Sequence, residues 1–270
     1  MPIEVKFWGV RGSTPTPIAD HLAYGGNTTC IEVNDGAGAR IIFDAGTGIR
    51  ELGRKIAGEG KALGVDVFLT HFHWDHIQGI PFFAPLLTEG NKVTFHSFVP
   101  ESEIQSRLER QMSDPYFTLD FNSVRAKKEF RQTLGGFRNG GLNVTAFPLN
   151  HPQRAFGYRV ECDGKAVVIA TDLEHGHAEL DRVLREESEG ADVLIYDAQY
   201  TPEEYESRRG WGHSTYAAAA AVARDARVKE LVLFHHDPTH DDVQVGQIVR
   251  SARALFENVS GASESEEIGV

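Results

Sequence analysis

The run ARIIFDAG stops at Asp44, VDVFLTH at His71, LNVTAFPL just before His151, KAVVIATD at Asp172, ADVLIYDA at Asp197 and KELVLFHH at His235. Each run is short, rich in β-branched residues and closed by polar or turn-forming positions, which is the pattern of a strand. A chain in which strand after strand ends on an ionisable side chain is tightly constrained. Those ends can meet along one sheet edge, where loops build a site on a rigid frame. Amphipathic helical patterns separate the runs, among them GIRELGRKIAGEG, AELDRVLREESEG and VGQIVRSARALFENV. The expectation is a mixed α/β fold, with strands leading helices late in the chain.

The chain has 270 residues, of which 41% are hydrophobic, enough to bury a sizeable core. No repeat or low-complexity tract divides it, so residues 1–258 read as one domain. Two segments stand apart. Residues 100–139 are dense in arginine and lysine and read as a helical, charged insertion, either a solvated excursion or a cap, with LERQMSDPYF as a homodimer contact. Residues 259–270 are polar and acidic and are expected to fray.

Lys and Arg number 27 against 39 Asp and Glu, a net charge of −12, so the average surface repels phosphate backbones and anionic membranes. No apolar run nears the ~18 residues of a membrane span, and MPIEVKFWGVRGSTPTP is not a basic leader followed by an apolar stretch. Cys30 and Cys162 make no disulfide framework and read as buried small hydrophobes. A cytoplasmic protein with no membrane partner is expected.

Within LTHFHWDHIQG, His71 and His73 stand two apart at a strand end, and in extended backbone they point to the same side. Together they can chelate one metal. Asp75 and His76 follow where the chain turns into the next element, so both can lean toward a second position about 3.5 Å away, the separation of two-metal hydrolases. A polar surface loop is the bland alternative, and this spacing argues against it.

THFHWDH resembles the His-x-His-x-Asp-His signature of the metallo-β-lactamase superfamily, and FDAGTG, LNHP, IATD and LVLFHH follow in that family's order. The resemblance implies a four-layer αβ/βα sandwich, here with a helical insertion, and metals at the sheet edges. It implies His71, His73 and His151 on one ion, Asp75, His76 and His235 on the other, Asp172 bridging, and Asp44 bracing the metal loop from behind. Imidazole and carboxylate suit Zn²⁺ and tolerate Mn²⁺ or Fe²⁺. His235 is preferred over His236 because the apolar strand ELVLF ends there; His236 would face the other way, toward substrate.

Two divalent ions sharing a water make hydrolysis the default chemistry, but the fold alone does not say which bond is cut. An aspartate at position 172 is unlike the true β-lactamases, which the resemblance gives a cysteine there. GWGHST, with His213, resembles the GHST element of the tRNA 3′-end endonucleases and cyclic phosphodiesterases of the superfamily, where the histidine protonates the leaving oxygen. Asp197 stands where those relatives carry the acidic partner of that histidine. A phosphodiester leaving group departs as an alkoxide and needs such a donor. Asp75, His213 and Asp197 are therefore the catalytic candidates.

WGVRGSTPTP and YGGNTTCIEV resemble small bacterial members of the same branch, which puts Arg11, Ser13 and Asn27 on loops near the metals, within reach of phosphate. His175, just past Asp172, is a candidate for the pocket wall. The tRNA-processing relatives carry a long protruding arm, whereas His151 to Asp172 is compact here. The expected substrate is thus a small cyclic phosphate or cyclic nucleotide rather than a long nucleic acid. The alternatives are hydrolysis of a non-phosphate ester, lactone or thioester, tRNA 3′ processing, and a non-catalytic metal-binding sensor.

Overall fold

A computed structural model of the chain describes residues 3–60 and 63–270. The described residues form two seven-stranded mixed sheets. The first contains β1 (Glu4–Gly9), β2 (Cys30–Asn34), β3 (Arg40–Phe43), β4 (Gly64–Phe68), β5 (Lys92–Ser97) and β6 (Lys127–Gln132). The second runs from β7 (Gly136–Asn139) and β8 (Leu142–Leu149) through β9 (Ala155–Cys162), β10 (Lys165–Ala170), β11 (Val193–Asp197) and β12 (Glu230–Phe234) to β13 (Val259–Gly261). The final strand, β14 (Glu267–Gly269), returns to pair with β1 in the first sheet.

The sheets face each other across an apolar layer that includes Phe7, Ile31, Phe43, Phe68, Tyr158, Ile169, Ile195 and Phe234. The helix Ile49–Gly58 buries Ile49, Leu52, Gly53 and Ile56 at helical spacing, and with the helix Glu101–Gln111 it covers the outer face of the first sheet. The helices Ala178–Ser188, Tyr216–Asp225 and Asp242–Arg253 cover the outer face of the second. Side-chain caps fix where two of these start: Thr215 accepts from Ala218 N and Asp241 from Gln244 N. This is the four-layer αβ/βα sandwich that the resemblance implies.

Two segments differ from the sequence expectation. Residues 100–139 are helical only over Glu101–Gln111 and a short 3-10 turn; β6 and β7 follow, one in each sheet. The charged run KKEFRQ misleads because β6 is an edge strand, where both faces can carry polar side chains and charge discourages edge-to-edge pairing. Residues 259–270 do not fray as a unit. β13 pairs with β12 and β14 with β1, so this polar tail supplies an edge to each sheet.

Candidate active site

Asp44, Asp172 and His235 each sit one or two positions past a strand, and all three adopt left-handed backbone, with φ of 61°, 59° and 61°. Such conformations are uncommon away from glycine and gather at functional sites. Here they mark the place where parallel strands β3, β4 and β10 to β12 deliver side chains to one end of the sandwich. His71 and His73 follow β4, and Asp75 and His76 lie in the single helical turn Trp74–Ile77.

One side-chain nitrogen or oxygen each from His71, His73, His151 and Asp172 can be gathered within 4.8 Å of one another. The same is true of Asp75, His76, Asp172 and His235, so Asp172 belongs to both groups. His76 Nε2 lies 3.1 Å from Asp172 Oδ2 and 3.3 Å from Asp75 Oδ2, and His235 Nε2 lies 3.2 Å from Asp75 Oδ2.

Every imidazole in these groups is held from behind. His71 Nδ1 meets the Thr70 hydroxyl at 3.0 Å, His76 Nδ1 donates to Asp44 at 2.8 Å, His151 Nδ1 to the Gly212 carbonyl at 3.0 Å, and His235 Nδ1 to Gln199 Oε1 at 2.9 Å. His73 uses Nε2 for Gln153, at 3.0 Å, which leaves its Nδ1. Each ring thus keeps one nitrogen turned inward, the arrangement that a metal ligand needs. Asp44 is fastened in turn by the Thr70 main-chain N–H and hydroxyl, each at 2.8 Å.

The inward atoms are the test of whether a cation fits. His71 Nε2, His76 Nε2, His151 Nε2 and Asp172 Oδ1 are buried without a hydrogen-bond partner. Buried polar atoms are normally paired, and four orphans facing one another fit divalent cations. Burial, followed by the neighbouring imidazole of His76, holds His71 well below its ordinary pKa; burial likewise lowers His73 and His151. His76 goes the other way. Burial would lower it, but Asp172, Asp75 and Asp44 outweigh that and hold its pKa well above the ordinary value. A place so rich in carboxylate demands positive charge from a proton or a metal.

Beside the cluster, His213 Nδ1 donates to Asp197 Oδ2 at 2.8 Å. Burial pushes the His213 pKa down, but Asp197 outweighs it and the ring stands at about 9. Asp197 also accepts from the main-chain N–H groups of Asp172 (3.1 Å), Gln199 (3.1 Å) and Ser214 (3.3 Å), so it links the cluster to the dyad. Two glycines make room. A Cβ on Gly12 would stand 2.5 Å from the His235 ring, and one on Gly212, whose φ is +88°, 2.4 Å from His151 Nδ1.

The structure moves several substrate candidates out of the site. Arg11 is fully buried, with its guanidinium donating to the carbonyls of Gly25, His21, Asp237 and His240. Its Nη2 also lies 3.8 Å from Asp242 Oδ1. His236 is buried against Tyr24 and bonded to the Ala262 carbonyl at 2.9 Å, on the far side from His235. Asn27 donates its amide to Glu264. Ser13 contributes its main-chain N–H, which holds Asp75 Oδ2 at 2.7 Å. His175 packs on Tyr205 and meets the Ser214 hydroxyl at 2.9 Å, next to the dyad.

Sequence reasoning missed Thr70, Gln153, Glu174, Gln199 and the Gly212 carbonyl. Glu174 accepts from the N–H groups of Gly210 and Gly212 and from the Tyr205 hydroxyl. It thereby fixes the glycine loop that carries both His213 and the carbonyl behind His151. The only sequence signal for Glu174 is its place two residues after Asp172.

Fold and cluster together define a metal-dependent hydrolase of the metallo-β-lactamase type. The chain belongs to that superfamily: the family model described as Beta-lactamase superfamily domain matches residues 39–236. A Ribonuclease Z of Anoxybacillus flavithermus is 32% identical over 255 aligned residues, covering 76% of this chain and 79% of the relative. The metallo-β-lactamase fold protein YhfI of Bacillus subtilis superposes with a TM-score of 0.73 at 19% identity, covering all of both chains. A diphosphatase of the PhnP family superposes with a TM-score of 0.71 at 17% identity, covering 98% of this chain and 97% of the other. No helix among the described residues is long and apolar enough to cross a membrane.

Proposed function

We propose that the protein is a dinuclear phosphodiesterase, with His71, His73 and His151 holding one ion, Asp75, His76 and His235 the other, and Asp172 both. Zn²⁺ suits this mixture of imidazole and carboxylate best. When bound, such ions lower the pKa of a water toward neutrality and neutralise phosphate charge. The observation that carries the reading is the His213–Asp197 pair beside the cluster, joined at 2.8 Å. Asp197 keeps the proton on Nδ1 and favours the charged ring, so Nε2 of His213 has a proton for the leaving alkoxide oxygen. Hydrolysis of a lactone or thioester would give that pair no evident task. Asp75, clamped by Ser13, fixes the register of the metal loop against His235.

A small phosphodiester, such as a cyclic nucleotide, is the substrate this reading favours. Between His151 and Asp172 there is only the β9–β10 hairpin, turned at 163–164, and no arm to grip RNA. The net charge of −12 also opposes a polyanion. A second reading, tRNA 3′ processing, is favoured by the relatives: Ribonuclease Z proteins of several organisms match, which stands against the expectation that no long nucleic acid is bound. In the Anoxybacillus alignment, 255 positions take up only 76% of this 270-residue chain, so that relative carries insertions absent here.

The test is hydrolysis of bis-p-nitrophenyl phosphate, 2′,3′- and 3′,5′-cyclic nucleotides and a 3′-extended tRNA by zinc-loaded protein, beside Asp75→Ala and His213→Ala. Cleavage of the small diesters, lost in both variants, supports the main reading. Cleavage of the tRNA alone transfers the assignment to the second, and no phosphodiester turnover with metals bound overturns both.

A further inference from the structure

The turn after β8 borders a cavity, of about 460 Å³, that shares the His151 ring with the metal cluster. Its volume lies within the roughly 300–1,000 Å³ of small-molecule sites. The walls are largely apolar. Phe98 and Phe156 stack on each other with centroids 4.7 Å apart and planes 8° from parallel, and Leu134 and Leu180 add aliphatic surface. Leu134 is 59% exposed.

Two amides supply the polar features. Gln132 donates its NH₂ to the Phe98 carbonyl at 2.9 Å, and Asn150 donates to the Glu174 carbonyl at 2.7 Å. Each amide oxygen is thereby left as an acceptor. At the rim stands Arg154, held at φ 66° by the bond from its N–H to the His151 carbonyl. Its exposed guanidinium makes no ion pair or side-chain hydrogen bond among the described residues. The preceding residue, Gln153, is the partner of His73, so the free cation is on the turn that joins cavity to cluster.

We propose, resting on the phosphodiesterase reading above, that this cavity is the subsite for the planar base of a nucleotide ester, with Arg154 pairing the phosphate that links base and metals. A flat heteroaromatic ring matches walls of phenyl and isobutyl groups. Its amino edge meets the two amide oxygens, which would stay unpaired against an acyl chain, a costly outcome for polar groups taken out of water. A guanidinium reads a phosphate through paired N–H groups, and this one has no competing carboxylate.

The experiment is calorimetric titration of zinc-loaded protein with adenosine 5′-monophosphate and with ribose 5-phosphate, which lacks the base. It is run on wild type, Leu134→Trp, Arg154→Asn and the control Leu255→Trp. Leu134, Arg154 and Leu255 are exposed, and asparagine tolerates the left-handed backbone at position 154. Wild type should bind the nucleotide at least tenfold more tightly than the sugar phosphate. Leu134→Trp should erase most of that ratio, Arg154→Asn should weaken both compounds together, and the control should leave the ratio as it is. Equal affinity for the two compounds in wild type, or absence of binding by both, overturns the proposal, as does a ratio indifferent to Leu134→Trp. Base-dependent binding in a protein that hydrolyses no phosphodiester would keep the subsite and overturn the activity, so the two failures are distinct.

Discussion

His235 and His236 are neighbours in sequence, yet they belong to two buried histidine-rich regions of opposite character. His235 faces Asp75, Asp172 and Gln199 in a cluster where four buried polar atoms make no hydrogen bond. His236 joins a knot with Arg11, His21 and His240 in which the protein closes on itself. Arg11 meets four carbonyls, His21 lies 3.1 Å from the Pro238 carbonyl, His236 meets Ala262, and His240 meets Glu204 at 2.8 Å, with only His240 Nδ1 unmet. Burial, with Arg11 nearby, drives the pKa of His236 down to about 3, so it serves as a neutral hydrogen-bonding ring. Buried polarity by itself does not mark a site. Polarity that the protein leaves open toward a common point does.

The contrast is broken or sharpened by substitutions on either side of it. The largest expected effect is on stability. Arg11→Met strands four buried carbonyls and should cost about 3–5 kcal/mol in chemical denaturation, with kcat per folded molecule within twofold of wild type. A catalytic defect in the remaining folded fraction would return Arg11 to the site. Next, His213→Ala should lower phosphodiester kcat by about 10²–10⁴, the usual worth of a positioned acid, with metal content held. Loss of metal from this variant would make His213 a ligand instead.

Glu174→Gln sharpens the role of the supporting residues. It weakens the hold on Gly210 and Gly212, and through Gly212 on His151, so zinc affinity measured by chelator competition should fall about 10- to 100-fold. A change in stability without a change in affinity would confine Glu174 to the loop. The smallest effect belongs to the knot: His236→Leu should cost about 1–2 kcal/mol by stranding the Ala262 carbonyl, and zinc affinity should stay put.

Much of the sandwich and the gathering of the strand-end residues was legible in the sequence. His71, His73, Asp75 and His76 crowd one short loop, and Asp44, Asp172, Asp197 and His235 each close an apolar run, so periodicity and spacing point to the site, while the four-layer sandwich is what the family resemblance implies. The charged edge strand β6 was hidden because a strand solvated on both faces lacks the alternation that identifies one. The tail was hidden because its order comes from β1 and β12, far away in sequence. Arg11 misled for a related reason. An arginine in a glycine-rich turn looks the same whether its guanidinium will meet a phosphate or four carbonyls, and only the approach of the 237–240 segment decides. Thr70, Gln153, Glu174 and Gln199 are single polar residues with no spacing of their own, and their significance exists only in three dimensions.

The central claim, that the open cluster is a two-metal centre and the adjoining knot is not, is tested most directly by zinc stoichiometry. Apo-protein would be titrated with Zn²⁺, desalted and analysed by mass spectrometry, as wild type, His235→Ala and His236→Leu. The expected result is two ions per chain in wild type and in His236→Leu, and fewer than two in His235→Ala. Fewer than two ions in wild type, or loss of an ion from His236→Leu but not from His235→Ala, would contradict the account.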